Sequence, residues 1–237
     1  MRDLTLECLR QTEATDVAAS KEHLRHGAAR RLGVMGRAMQ NVFTLFPPAT
    51  DRPLPQEALH DVQISLHAFV INLYGVFENF AWAFVLRHNL LPKVGKHLNV
   101  SMFKPATQNY LPPAVTDYLS SEAMMRWHSE YLKNYRDALA HRIPLYIPPK
   151  VLTKEEGERF NALEAEKWGF SEPADWDRIN VISAEQESIG SPCFSFLHSF
   201  EDDEASREVW LHPQIISDSN TVIEFGRLFL AAWHDHR

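Results

Sequence analysis

Residues 131–149, YLKNYRDALAHRIPLYIPP, decide how the rest of the chain is read. Tyr131, Leu132, Tyr135 and Leu139 recur at spacings of three and four, the interval that lines one face of an α-helix. Pro144 stops that helix, because its ring supplies no N–H and pushes the preceding residue out of the helical region. In the last turns stand Arg136, Asp137 and His141, with the small Ala138 and Ala140 beside them. Arg136 and His141 are about 140° apart around the helix axis, so they flank a strip rather than stack. The middle of that strip is Lys133, Asp137 and Ala140. It falls opposite an apolar line of Met125, His128, Leu132, Tyr135 and Leu139. The spacing therefore predicts a polar strip that faces away from the subunit's own core. Chemistry on such a strip needs a second body to close over it.

Three more segments carry helical periodicity. Residues of about 16–45 align Leu24, Ala28, Leu32, Met35, Met39, Val42, Phe43 and Phe46, and Pro47 and Pro48 end the run. A helix over about 56–90 holds a seam of Leu59, Val62, Leu66, Phe69, Leu73, Val76 and Phe80. Ile64, Ile71, Tyr74, Phe77 and Trp82 give it a second apolar face. Gly75 in its middle marks a close helix approach, since glycine there costs about 1 kcal/mol against alanine. Ser121 reads as the N-cap of the motif helix, 122–142. Thr221 with Glu224 reads as a capping box opening a last helix, 222–235.

Residues 145–216 differ in pattern. Residues 145–152 read as extended, Thr153 with Glu156 opens a helix to about Lys167, and 168–190 read as loop. CFSFLHSF (193–200) and EVWLH (208–212) read as a β-hairpin across the acidic EDDEAS loop. Residues 1–14 read as short helix or fray. The fold expected is one mainly α domain over 1–237. It is an antiparallel up-and-down four-helix bundle with a small α+β insertion, 145–216, between the third and fourth main helices.

Arg136-Asp137-x-x-x-His141, late on a long helix of a helical chain, resembles the motif of the HEPN (higher eukaryotes and prokaryotes nucleotide-binding) superfamily. In two other spacings, Arg207–His212 and Arg227–His234, the arginine is followed by Glu208 and Leu228, neither of them of the family's type, and neither has the helical context of the motif. The resemblance implies a four- or five-helix bundle. It implies either a metal-independent endoribonuclease of a toxin–antitoxin, antiviral or stress system, or a non-enzymatic module that binds a nucleotide or a protein partner. The enzyme reading pairs two motifs across a homodimer cleft, and the partners implied are RNA and an antitoxin-type protein.

The residue chemistry fits the first reading. Metal-free RNA cleavage needs a proton acceptor for the 2′-hydroxyl, a donor for the leaving oxygen and positive charge on the phosphorane. His141 suits the proton transfers. Arg136 suits the charge, and Asp137, four residues before His141, is placed to orient its ring. Glu78 and Lys133 are candidate supporting residues. Arg30, Arg31 and Arg37, opposite the apolar face of their helix, are candidate phosphate contacts. The alternative for each is structural: Glu78 in a hydrogen bond, the arginines on a solvated face, Arg136 and Asp137 as a plain ion pair.

A net charge of −7 argues against broad nonspecific nucleic-acid binding but leaves room for a local basic cleft. Cys8 and Cys193 form neither a disulfide framework nor a zinc pattern. No metal or cofactor is expected, since His234, Asp235 and His236 are adjacent on a helix and do not converge on one ion. The start of the chain lacks an apolar leader core, and polar residues interrupt the greasiest run, 68–86. The expectation is a cytoplasmic protein without a membrane span.

Overall fold

A computed structural model describes residues 1–170, 175–198 and 208–236. The segments with apolar periodicity are helices, and each buries most of the face that the periodicity defines; Ile64 on the central helix and Met125 on the motif helix are the exposed exceptions. The first helix, α1 (Arg2–Glu13), is more than fray. Leu4 and Cys8 are buried, and the helix packs under the second and the last helices. The second, α2, is continuous from Ala18 to Leu45. It consists of Ala18–Glu22, a π-helical turn His23–Ala28, and Ala29–Leu45.

The third, α3 (Gln56–Arg87), is the central element. Leu66, Phe69, Leu73, Val76, Phe77, Phe80 and Phe84 are fully buried along it. It is long and apolar enough to cross a membrane, yet most of that stretch is buried inside this chain. It packs against α2 on one side and the motif helix on the other. Between them its less crowded flank carries Asn72, Tyr74, Glu78, Asn79 and Trp82, all half-buried.

One-turn helices at Leu91–Val94 and Pro105–Gln108 lead to α4 (Pro113–Leu119). The motif helix, α5, starts where the sequence places it, with Ser121 Oγ accepting from the Met124 N–H. It runs Glu122–Arg126, a π-helical turn Trp127–Leu132, and Lys133–His141. The turn changes the phase of the helix. Met124 is buried and Met125 is 53% exposed, opposite to the straight-helix expectation. Beyond the turn Leu132, Tyr135 and Ala138 face the core.

Past α5, Tyr146 bridges Leu197 and Val151 bridges Ser191, in keeping with an extended 145–152. The Thr153–Glu156 capping box opens α6 (Lys154–Lys167). Residues 168–190 are not all loop, because α7 (Trp176–Ser188) lies within them. Gln186 ties α7 to α6, donating to the Phe160 carbonyl at 3.1 Å and to Glu164 at 3.0 Å. The pair also shares the Arg159–Glu185 and Arg178–Glu166 ion pairs. The hairpin is a two-stranded antiparallel sheet, β1 (Ser195–Phe196) and β2 (Val209–Trp210), with Ser195 opposite Trp210. Phe200, the EDDEAS loop and Arg207 lie outside the described residues.

The last helix, α8 (Leu211–Ala231), starts well before the expected residue 222. Pro213 is its third residue, where the missing N–H is not needed by the helix. Leu211 and His212 are therefore helical, not strand. Thr221 caps nothing: its hydroxyl donates back to the Ser217 carbonyl, four residues earlier. The segment between the motif helix and the last helix thus ends at 210, not 216.

Asp218 of α8 is fully buried and ties α8 to the motif helix. Its carboxylate accepts from Trp127 Nε1 at 2.8 Å, the Tyr131 hydroxyl at 2.8 Å and Gln214 Nε2 at 2.7 Å. Burial pushes its pKa up to about 6, with the three hydrogen bonds pulling the other way. Tyr131→Phe removes one hydrogen bond to this charge without opening a cavity. It should lower stability by about 1.5–3 kcal/mol, or roughly 3–12 °C in Tm, measured by thermal and urea melts. A loss under about 0.5 kcal/mol, the range of ordinary surface changes, would show that Asp218 does not hold the helices together.

Candidate functional site

The motif residues do not act as one strip. Arg136 is half-buried and laid against α3, its guanidinium 4.1 Å above the Tyr74 ring. Its Nη1 pairs with Asp137 at 3.0 Å. Its buried Nε has no hydrogen-bond partner. The expectation that this strip turns wholly away from the subunit's core is corrected at this edge, because Tyr74 reaches under Arg136. Lys133, Ala140 and His141 are exposed. His141 is the last helical residue and has no hydrogen-bond or ion-pair partner among the described residues. Asp137 therefore orients Arg136 and not His141.

Glu78 is half-buried next to this arginine. Its carboxylate accepts from Ser101 Oγ at 2.6 Å, and Ser101 in turn accepts from the Phe103 N–H at 3.3 Å. Burial raises the Glu78 pKa, while Ser101, Arg136 and Lys104 partly hold it down. Glu78 thus lies in the field of Arg136 without pairing with it, and it does not reach His141. The Tyr74 phenol is pushed up by burial and by Glu78, with Arg136 opposing.

His128 completes this cluster from the π-helical turn. Its ring stacks on Phe103 with centroids 3.7 Å apart and planes at 13°. Its buried Nε2 has no partner. His67 and His128 both fall near core-facing positions by their spacing, where a histidine with a satisfied ring is expected. His67 fits, its Nε2 lying 2.6 Å from the Leu145 carbonyl. His128 does not. Burial lowers its pKa to about 4, and the charges of Lys133 and Arg136 add to the effect.

No family model, curated protein or solved structure matches the chain. Its chemistry is therefore read from its own residues.

The candidate phosphate contacts fall in two places. Arg30 and Arg31 line a groove of about 470 Å³ beside the π-helical turn of α2, with Glu22, His23, His26, Asn72 and Asn79. Arg30 is exposed, while Arg31 is half-buried and bonded across to α3. Arg37 is exposed on the far half of α2, next to Met1, Arg2 and Leu6, and takes no part in that groove. Sequence reasoning passes over Tyr74 as a site residue and over Asp218 altogether. Trp127 and Tyr131, four residues apart with polar tips on a buried face, were the available signal for a buried acceptor.

The neutral His128 gives a pH prediction. The folded pKa of about 4 lies below the ordinary 6.5, so the unfolded chain binds the proton first as pH falls. The stability that His128 contributes is present above 6.5 and is lost as pH drops toward 4. Asp218, with its raised pKa, slopes the opposite way over an overlapping range, so the comparison must be with a variant. His128→Phe keeps the stack on Phe103, and wild type should lose stability relative to it between pH 6.5 and 4 in urea titrations. Parallel profiles would place the His128 ring in water.

Proposed function

We propose that the chain is an HEPN-like, metal-independent endoribonuclease working as a two-fold dimer. Its four long helices, α2, α3, α5 and α8, are read as the bundle of that family. The observation that carries this reading is the division of labour at the end of α5. Arg136 is immobilised by Tyr74 and Asp137, whereas His141, one turn further on, is exposed and unpartnered. A fixed cation and a free imidazole are the two groups that such cleavage needs. They flank a strip that one subunit leaves open, and a second copy about a two-fold axis supplies the closing surface. Small Ala140, exposed between them, permits close approach. In this reading Arg136 stabilises the phosphorane, His141 transfers protons, Asp137 positions Arg136, and Glu78 and Lys133 tune the local charge.

A second reading is a non-enzymatic HEPN-like module that binds a nucleotide or an antitoxin-type partner. The pairing of Asp137 with Arg136 favours it, because His141 is left without an orienting carboxylate.

The two readings part on one set of variants. His141 is exposed and unpartnered, so His141→Ala should cost no more than about 0.5 kcal/mol of stability. It should also lower cleavage of a structured RNA in EDTA by about 10²–10⁴. Arg136→Ala should abolish cleavage and also cost about 1–2 kcal/mol, through loss of the contact with Tyr74. Tyr135→Ala, on the buried face, should cost about 3–5 kcal/mol. Light scattering at micromolar concentration should report a dimer. A wild type that cleaves nothing in EDTA decides for the binding module, and a monomer removes the composite site.

A further inference from the structure

A second site is built on the same flank of α3, at the edge that meets α2. The half-buried guanidinium of Arg31 donates from Nε to Asn79 Oδ1 at 2.8 Å and from Nη1 to Asn72 Oδ1 at 3.1 Å. It rests on Gly75, where an added Cβ would stand 2.5 Å from it, so the glycine makes room for the guanidinium. Both partners are neutral amide oxygens. A half-buried arginine held by carboxylates is electrically cancelled, but one held by amides is aimed and keeps its full charge.

The network extends one step further. Because Asn79 turns its oxygen to Arg31, its NH₂ faces His23 Nδ1 at 3.2 Å. That assignment makes Nδ1 an acceptor and puts the proton of the neutral ring on Nε2. The His23 ring is stacked with Trp82, centroids 5.6 Å apart at 11°, and cannot swing away freely. Gly27 admits Asn79 to this position, since a Cβ there would come within 2.5 Å of the amide. His23 and Gly27 belong to the π-helical turn His23–Ala28, a distortion of the kind found at functional sites, and Arg31 follows it by one turn.

We propose that this groove is a phosphate-binding site, with Arg31 as its fixed cation and Arg30 and His26 at its rim. Arg30 and His26 are exposed and have no hydrogen-bond or ion-pair partner among the described residues. Glu22 is the one carboxylate in the lining, set against two arginines. The chain's negative charge is concentrated far in sequence from the residues of the groove. Residues 154–188 hold ten acidic and four basic side chains, which leaves the remainder close to neutral. The groove, at about 470 Å³, has room for a phosphate and the group that carries it. Phosphate is the class of ligand, as a free ion, a monoester or a diester of a nucleic-acid strand. The proposal stands whether or not the motif helix cleaves RNA.

Calorimetric titration of the full chain tests it with two probes. One is inorganic phosphate, and the other is an eight-residue 2′-O-methyl oligouridylate, which cannot be cleaved through its 2′-oxygen. Wild type should bind at least one of them, more weakly as salt rises. Arg31→Met keeps the side-chain stem over Gly75 and removes the charge, and it should weaken binding about tenfold or more. Arg30→Ala should weaken it about two- to fivefold, as a more exposed contact does. Gly75→Ala leaves Arg31 in the chain but puts a methyl where its guanidinium lies, so it too should weaken binding. If Arg31→Met melts early, Arg30→Ala and Gly75→Ala carry the comparison. Binding of both probes assigns the site to strand phosphates, and binding of phosphate alone assigns it to a free ion or a monoester. Failure of both probes to bind at millimolar concentration overturns the proposal. So does oligouridylate binding that none of the three variants changes.

Discussion

The buried carboxylate of Asp218 sets the position of the motif helix. A charge taken out of water is costly unless hydrogen bonds replace its hydration. Trp127, Tyr131 and Gln214 supply three. Two of those donors belong to the π-helical turn of α5, so the carboxylate fastens the helix at the point where its phase changes. Everything C-terminal to the turn inherits that fixing. Tyr135 is driven into the core beside Phe196, and its neighbour Arg136 is left on the flank that meets Tyr74. The cost of burying Asp218 is visible in its raised pKa, and the return is a defined orientation for the helix end that carries His141.

The helix α3 is a shared wall. Tyr74 receives Arg136 from α5, and the next residue, Gly75, receives Arg31 from α2. One residue offers an aromatic face to a guanidinium, and the other offers the lack of a side chain. Two cations are thus seated on consecutive positions of one helix, although their own helices pack on different sides of it. Between them Glu78 and Asn79 divide the polar work. The carboxylate answers to Ser101 and the field of Arg136, and the amide joins Arg31 to His23.

Much of the helical architecture was legible because burial imposes periodicity. The start of α5 at Ser121, the capping box of α6 and the extent of α3 follow from local chemistry that tertiary contacts leave unchanged. The errors came where a local signal had two readings. Thr221 and Glu224 have the spacing of a capping box, but Thr221 lies mid-helix and bonds back to Ser217. Val209 and Trp210 form the strand that their alternation suggests, but Leu211 and His212 do not continue it, and Pro213 in a first helical turn was the better guide there. The buried face of α5 was misplaced at Met125 because a straight helix was assumed, and nothing local announces a π-helical turn. The candidate site was legible in residue type and not in partnership. Arg136 and Asp137 are together, His141 stands apart, and Arg31, a candidate phosphate contact expected opposite the apolar face of its helix, is held by α3.

The two π-helical turns each hold one residue more than an α-helical path over the same distance needs. Each lies upstream of charged groups that its helix presents at a set azimuth: Arg30 and Arg31 on α2, Arg136 and His141 on α5. The extra residue is absorbed because each residue of the turn rotates by less than the roughly 100° of an α-helix. Removal of one residue from Trp127–Leu132 would therefore let the helix close as an ordinary α-helix and leave the azimuth of everything after it almost unchanged. Arg136 would keep its place over Tyr74. What would change is the spacing inside the turn, by which Trp127 and Tyr131 both reach Asp218. The length of this turn is thus tied to the residues within it rather than to those that follow.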